Sequence, residues 1–122
     1  MELLIEQSRR PDITFFRDGR ILMSASVTLA LGLKPGDCIN IAADNGEFYL
    51  FALPNPPCGR NIARVYPTKP NSNNFCANSV RLTRRLLDML HITDTRAAFF
   101  VGKPVCISGR TLLPVITKIP LK

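Results

Sequence analysis

Short apolar stretches separated by turn residues occupy the first part of the chain. Residues 13–16 and 20–23 are rich in β-branched, aromatic and other apolar side chains and predict two strands. The step Asp18-Gly19 between them predicts a two-residue hairpin turn, because glycine accepts the positive φ that such turns require. Gly19 is therefore expected to be a structural turn residue.

A short helix and a second hairpin are expected next. Either Ser24 or Ser26 can cap the helix, and Gly32 can end it in the left-handed conformation that glycine adopts at helix C-termini. Two further strands are predicted at residues 38–42 and 48–53, joined by a turn at Asn45-Gly46.

The same order of elements recurs later in the chain at an offset of 59 residues. This shift places Ile21 on Val80, and it places the apolar helix positions of the first unit on Leu86, Met89 and Leu90. A recurring order of strand, cap, helix face and strand indicates an internal duplication. The predicted ββαββ units are residues 11–53 and 70–117, joined by a Pro-rich connector at 54–60 within a single domain of residues 1–122.

Each unit alone would expose strand edges and one apolar face, and two interlocked units can close those edges into a barrel. The expected fold class is therefore mostly β with two short helices. The duplicated ββαββ units would form one closed barrel, in a chain whose composition is that of a globular protein.

The charge of the chain is distributed unevenly. Residues 1–59 hold five basic and seven acidic side chains, a balance of −2, whereas residues 60–122 hold eleven basic and two acidic, a balance of +9; together they give the net charge of +7. One positive surface would attract phosphate backbones by releasing counterions. The alternative, that these charges serve only solubility, stays open.

Catalytic and metal-binding patterns are not found in the sequence. The single histidine, His91, leaves little basis for a nucleophile–base pair, and a surface position at a helix end is expected for it. The four cysteines lack the paired spacing of zinc sites, and Cys38 and Cys106 lie in apolar stretches that predict core thiols. No enzyme activity, metal or cofactor is expected.

Two segments carry a resemblance to a known family. Residues 18–24 (DGRILMS) and 31–37 (LGLKPGD) resemble the swapped-hairpin proteins of AbrB and MazE type, the SpoVT-AbrB-like or cradle-loop barrel family, over about residues 13–53. The resemblance implies a swapped-hairpin or double-psi-like barrel. It also implies that Gly36 and Asp37 hold a turn, in which the Asp37 carboxylate accepts backbone N–H groups.

The resemblance further implies binding of double-stranded DNA, since many members are transition-state regulators or antitoxins whose hairpins carry basic residues. Carried over to this chain, it points to Arg17 and Arg20, and through the repeat to Arg81, Arg84 and Arg85. Arginine suits this task because its planar fork grips phosphate or guanine with two bonds. Arg84 and Arg85 are expected to open the second helix. Because both units share one chain, a palindromic target is not required.

Two other functions remain open. A non-catalytic protein-interaction or assembly module, as a homo-oligomer or with another protein, is favoured if the apolar residues 97–101 form an exposed sheet edge. A small-ligand pocket in the mouth of the barrel is the third possibility. The sequence has no pattern of a signal peptide or membrane span, so we expect a cytoplasmic protein of bacterial or viral origin.

Overall fold

A computed structural model describes residues 11–53 and 63–117 of the chain. The predicted connector at 54–60 lies outside the described residues. The elements are β1 (Ile13–Phe16), β2 (Arg20–Met23), α1 (Ala25–Leu31), β3 (Cys38–Asp44), β4 (Glu47–Leu53), β5 (Ala63–Arg64), β6 (Tyr66–Pro67), β7 (Phe75–Asn78), α2 (Val80–Met89), β8 (Arg96–Val101), β9 (Val105–Ile107) and β10 (Arg110–Ile116).

The described strands form one antiparallel sheet that nearly closes on itself. Its order is β5-β3-β4-β10-β8-β1-β2-β7-β6, with β9 paired to β10 beside this path. β5 and β6, at the two ends of the order, are separated in the chain only by Val65. The strand order therefore returns to its starting point, and the prediction of a mostly β, barrel-like fold with two helices is confirmed.

The core lies inside this barrel-like sheet and follows from alternation along the strands. Ile13 and Phe15 of β1 are fully buried, whereas Thr14 and Phe16 between them are partly exposed. A period of two is the expected result when one face of a strand packs inward. Phe15 meets Phe99 of β8 edge to face, with ring centroids 6.0 Å apart.

The β1–β2 hairpin has a three-residue loop instead of the predicted two-residue turn. The Gly19 N–H donates to the Phe16 carbonyl at 2.8 Å, so Arg17 and Asp18 are the central turn residues. Gly19 follows with φ +110°, a conformation that L side chains rarely adopt. The second turn, Asn45-Gly46, does have two residues, because Asp44 and Glu47 on either side of it are paired.

A serine precedes each helix, and the two helices end in the same way. Ser24 precedes α1 and Ser79 precedes α2. Gly32 and His91 follow the helices with φ 64° and 58°, and in each case the next N–H donates to the carbonyl five residues back. This is the Schellman arrangement. His91 is exposed at a helix end, as the sequence predicted.

The prediction that the units are related by one fixed offset of 59 residues is wrong. Ile21 lies in β2, whereas Val80, its supposed counterpart, is the first residue of α2. The serines before the helices are 55 positions apart, and Gly32 and His91 after them are 59 apart. The offset grows by four residues, because α2 is three residues longer than α1, 10 against 7, and Leu90 stands between the end of α2 and His91.

The condition set for an assembly module is not met, and one expectation about a cysteine is wrong. Residues 97–101 do not form a sheet edge, because β8 lies between β1 and β10 and its Phe99 is buried. Cys106 is exposed on β9, whereas Cys38 is buried as expected. The apolar stretch around Cys106 misled the prediction because β9 lies off the main path of the sheet and, of the strands in the described residues, pairs only with β10. No helix in the described part of the chain is long and apolar enough to span a bilayer.

Candidate nucleic-acid interface

The outer face of α2 displays three arginines. Arg81, Arg84 and Arg85 are exposed, and the opposite face of the helix buries Thr83, Leu86 and Leu87 in or against the core. Positions three and four apart share a helix face, so the three arginines lie on one side of α2. The helix begins at Val80, so the expectation that Arg84 and Arg85 open it is wrong. Both lie in its second turn.

The β1–β2 turn packs against the start of α2. The Ser79 N–H donates to the Gly19 carbonyl at 2.8 Å. A Cβ atom on Gly19 would lie 2.8 Å from Asn78 Oδ1, 2.8 Å from Val80 Cγ2 and 3.0 Å from the Val80 nitrogen. Glycine is therefore needed here both for its φ and for the close approach of the two segments.

Arg17 makes its contacts within the protein. Its guanidinium donates to the carbonyl of Ile92 and, at 3.3 Å, to that of Asp94, and it lies 3.6 Å from the Asp88 carboxylate. The Arg17 carbonyl accepts a bond from Arg84 Nε at 3.4 Å. Arg17 therefore links the hairpin to the end of α2. Because its donors are used within the protein, Arg17 is a weaker candidate for a phosphate contact than the helix arginines.

Arg20 is exposed but held on its own hairpin. Its Nε lies 3.2 Å from Asp18 Oδ2, and its guanidinium carbon lies 4.1 Å from the centre of the Phe16 ring. The Arg20 backbone N–H donates to Asp18 Oδ1 at 3.0 Å. This backbone bond, with the nearby guanidinium, lowers the pKa of Asp18 from its ordinary value. The planar group of Arg20 is thus oriented before any ligand arrives.

Two further arginines lie beside this hairpin and were missed by sequence reasoning. Arg96 pairs with Phe16 across β1 and β8, and it lines a depression of about 490 Å³ together with Arg17 and Arg20. Arg64 lines a neighbouring groove of about 540 Å³ that also includes Arg20. No local signal could have found them, because strand pairing over long sequence separations brings them there.

The predicted arginines do not form one cluster. Arg84 is bonded to Arg17, whereas Arg85 lies on the side of α2 that faces the β3–β4 hairpin. There it lines an apolar cleft of about 290 Å³ with Ile41, Phe48 and other residues. The basic surface is therefore an extended strip along α2 and the adjacent hairpin turn, which suits a long anionic partner better than a single small anion.

The Gly36-Asp37 step has the geometry of a turn. Asp37 is buried, its Oδ2 accepts the Lys34 N–H at 2.8 Å, and its backbone carbonyl accepts the Val65 N–H at 2.9 Å. Gly36 has φ +93°. The Asp37 carboxylate thus accepts the bond that the sequence assigned to it. Among the described residues, no group of three or more His, Cys, Asp or Glu side chains is arranged to hold a metal ion.

Comparison with known proteins identifies no relative. A scan against protein-family models finds no match to the chain, and searches of curated proteins and of solved structures find none either. The likeness to AbrB and MazE therefore stands on the residues of segments 18–24 and 31–37 alone.

Proposed function

We propose that this protein binds double-stranded DNA as a regulatory or mobile-element accessory protein of AbrB-like type. The observation that carries the proposal is the outer face of α2, where Arg81, Arg84 and Arg85 are all exposed in a chain of net charge +7. Guanidinium groups on one helix face can each neutralise a phosphate and release its counterion. Arg20, at the neighbouring turn, would add a contact.

The charges around this face support the proposal. Asp88 is the one acidic residue of α2, and its carboxylate lies 3.6 Å from the Arg17 guanidinium, which offsets its charge. The three helix arginines therefore keep a net positive field. Such a field speeds the encounter with DNA and makes affinity fall steeply as salt is added.

We further propose that the barrel arose by duplication of a swapped-hairpin unit. The strand pairing is consistent with two related halves: β1 pairs with β2 and β8, and the β5–β6 segment pairs with β7 and β3. β2 pairs with β7 and β4 pairs with β10, each joining one half to the other. Because the halves differ in sequence, the DNA target need not be palindromic.

The test compares two triple variants with equal loss of charge. Arg81→Ala, Arg84→Ala and Arg85→Ala remove the helix face, whereas Lys34→Ala, Lys69→Ala and Lys103→Ala remove three exposed charges elsewhere. Duplex binding is measured by fluorescence anisotropy across a salt series. The helix variant should weaken binding by at least about 30-fold and reduce the salt slope by about three, while the lysine variant changes binding far less.

Equal effects of the two triple variants, or no duplex binding by the unaltered protein at low salt, would contradict the proposal. Thermal unfolding serves as the folding control. Because the replaced side chains are exposed, the melting temperature should change by only a few degrees in both variants.

A second candidate function, a protein-interaction or assembly module, is favoured by β9. Within the part of the chain that the structure describes, this strand pairs only with β10, and its Val105 and Ile107 are 40% and 54% exposed. A free strand edge with apolar side chains can pair with another chain. Solution mass separates the candidates: an oligomer that Val105→Lys with Ile107→Lys converts to monomer, without loss of duplex binding, would assign assembly to β9.

A further inference from the structure

The outer face of the sheet beside the hairpin carries an exposed aromatic residue. Tyr66 of β6 pairs with Cys76 of β7, which in turn pairs with Leu22 of β2. The residues that flank this row within β2 and β7, such as Ile21 and Ala77, are buried in the core. The row therefore lies on the outside of the barrel, where Tyr66 is 50% and Leu22 is 40% exposed.

Arginines flank this row. Tyr66 and Leu22 line the groove of about 540 Å³ together with Arg20 of β2 and Arg64 of β5. The Arg64 guanidinium donates to the Gly36 carbonyl at 2.8 Å, which fixes the direction of its side chain. The described residues that line the groove include no carboxylate. The groove therefore combines apolar and aromatic side chains with two arginines.

The positive charge continues across the sheet. Arg20 belongs both to this groove and to the depression that Arg96 lines, so three arginines follow one another over β5, β2 and β8. The depression also contains Asp18, whose carboxylate is already paired with Arg20. The path across the face is therefore complementary to a chain of negative charges.

We propose that this face binds single-stranded nucleic acid, with a base stacked on Tyr66 and with phosphates held by Arg20, Arg64 and Arg96. An exposed ring is sequence-tolerant as a stacking platform because every base has a π face. In a duplex the base faces are covered by their neighbours, so Tyr66 can stack only on an unpaired base. This surface shares Arg20 with the one proposed for duplex DNA. Its described lining contains Tyr66 and none of the α2 arginines, so variants of Tyr66 and of α2 test the two proposals separately.

The test uses an oligothymidylate, which has little structure of its own. The chain contains no tryptophan and two tyrosines, Tyr49 and Tyr66, so Tyr49→Phe leaves Tyr66 as the only tyrosine reporter. Stacking should quench the emission of this variant on titration. Tyr66→Ala should weaken binding about tenfold, whereas Tyr66→Phe, which keeps the ring, should bind nearly as well as the unaltered protein.

Two controls keep the inference falsifiable. Tyr66→Leu retains an apolar side chain if Tyr66→Ala lowers stability, and it should lose the same affinity as the alanine variant. The triple alanine variant of α2 should retain oligothymidylate binding. Undiminished binding by Tyr66→Leu, unquenched Tyr66 emission, loss of binding in the α2 variant instead, or no binding of oligothymidylate at all would each overturn the inference.

Discussion

Replacing Gly19 with alanine tests the contact on which the position of α2 depends. Gly19 has φ +110°, and an added Cβ would lie 2.8 Å from both Asn78 Oδ1 and Val80 Cγ2. The Val80 backbone nitrogen would be 3.0 Å away. The Asn78 side chain can rotate, but the backbone of α2 cannot retreat without loosening the bond from the Ser79 N–H to the Gly19 carbonyl.

The expected loss has two parts. An L residue in a left-handed conformation costs about 1–2 kcal/mol, and overpacking against a fixed neighbour adds about 1–3 kcal/mol. Gly19→Ala should therefore lower the free energy of unfolding by about 2–5 kcal/mol. Gly46→Ala is the matched control, because Gly46 has φ +80° and no described atom lies within 4 Å of its added Cβ. Gly46→Ala should lower the free energy of unfolding by the conformational part alone, about 1–2 kcal/mol.

Urea unfolding followed by circular dichroism measures both losses. A second comparison places Gly19→Ala in a Val80→Ala background, which removes the closest carbon. The substitution should then cost about 1 kcal/mol less, since the remaining clash involves the backbone and a mobile amide. Equal losses for the two glycine variants, together with no effect of the Val80→Ala background, would refute the reasoning.

The remaining predictions concern local hydrogen bonds. Ser79→Ala should lower the free energy of unfolding by about 1 kcal/mol, because the Ser79 side chain accepts the Leu82 N–H at 3.1 Å. Ser24→Ala should lower it less, because Ser24 Oγ is buried with no hydrogen-bond partner among the described residues. Asp37→Ala should cost about 1–3 kcal/mol through the lost Lys34 bond, and Asp37→Asn should recover part of it because its side-chain oxygen can still accept. Thermal unfolding at neutral pH checks each pair, and a reversed order within either pair would contradict its explanation.

The features that the sequence predicted well are those decided by neighbouring residues. The bounds of β1 and β2 follow from short apolar stretches around a turn, and the end of α1 follows from Gly32. These signals act over a few residues, so no partner strand is needed to interpret them. The hairpin turn itself was predicted one residue too short, because two-residue and three-residue loops both use a glycine with positive φ.

The candidate site was harder to predict because it depends on which charged side chains are bonded to other groups of the protein. Arg17 looked equivalent to Arg20 in sequence, yet its donors reach the carbonyls after α2, more than seventy residues away. Arg64 and Arg96 carry no local motif and gain their place from the pairing of β5 with β3 and of β8 with β1. Long-range pairing of this kind is not encoded in any short segment.

One turn connects the fold to the proposed DNA contact, because it holds α2 at both ends. Gly19 bonds to Ser79 at the start of the helix, and the Arg17 side chain reaches Asp88 and Ile92 at its end. A helix fixed at two points presents its arginines in a defined direction, so less conformational entropy is lost when a phosphate binds. The same reasoning separates the two kinds of arginine on this surface: loss of Arg17 should lower stability and binding together, whereas loss of Arg81 should lower binding alone.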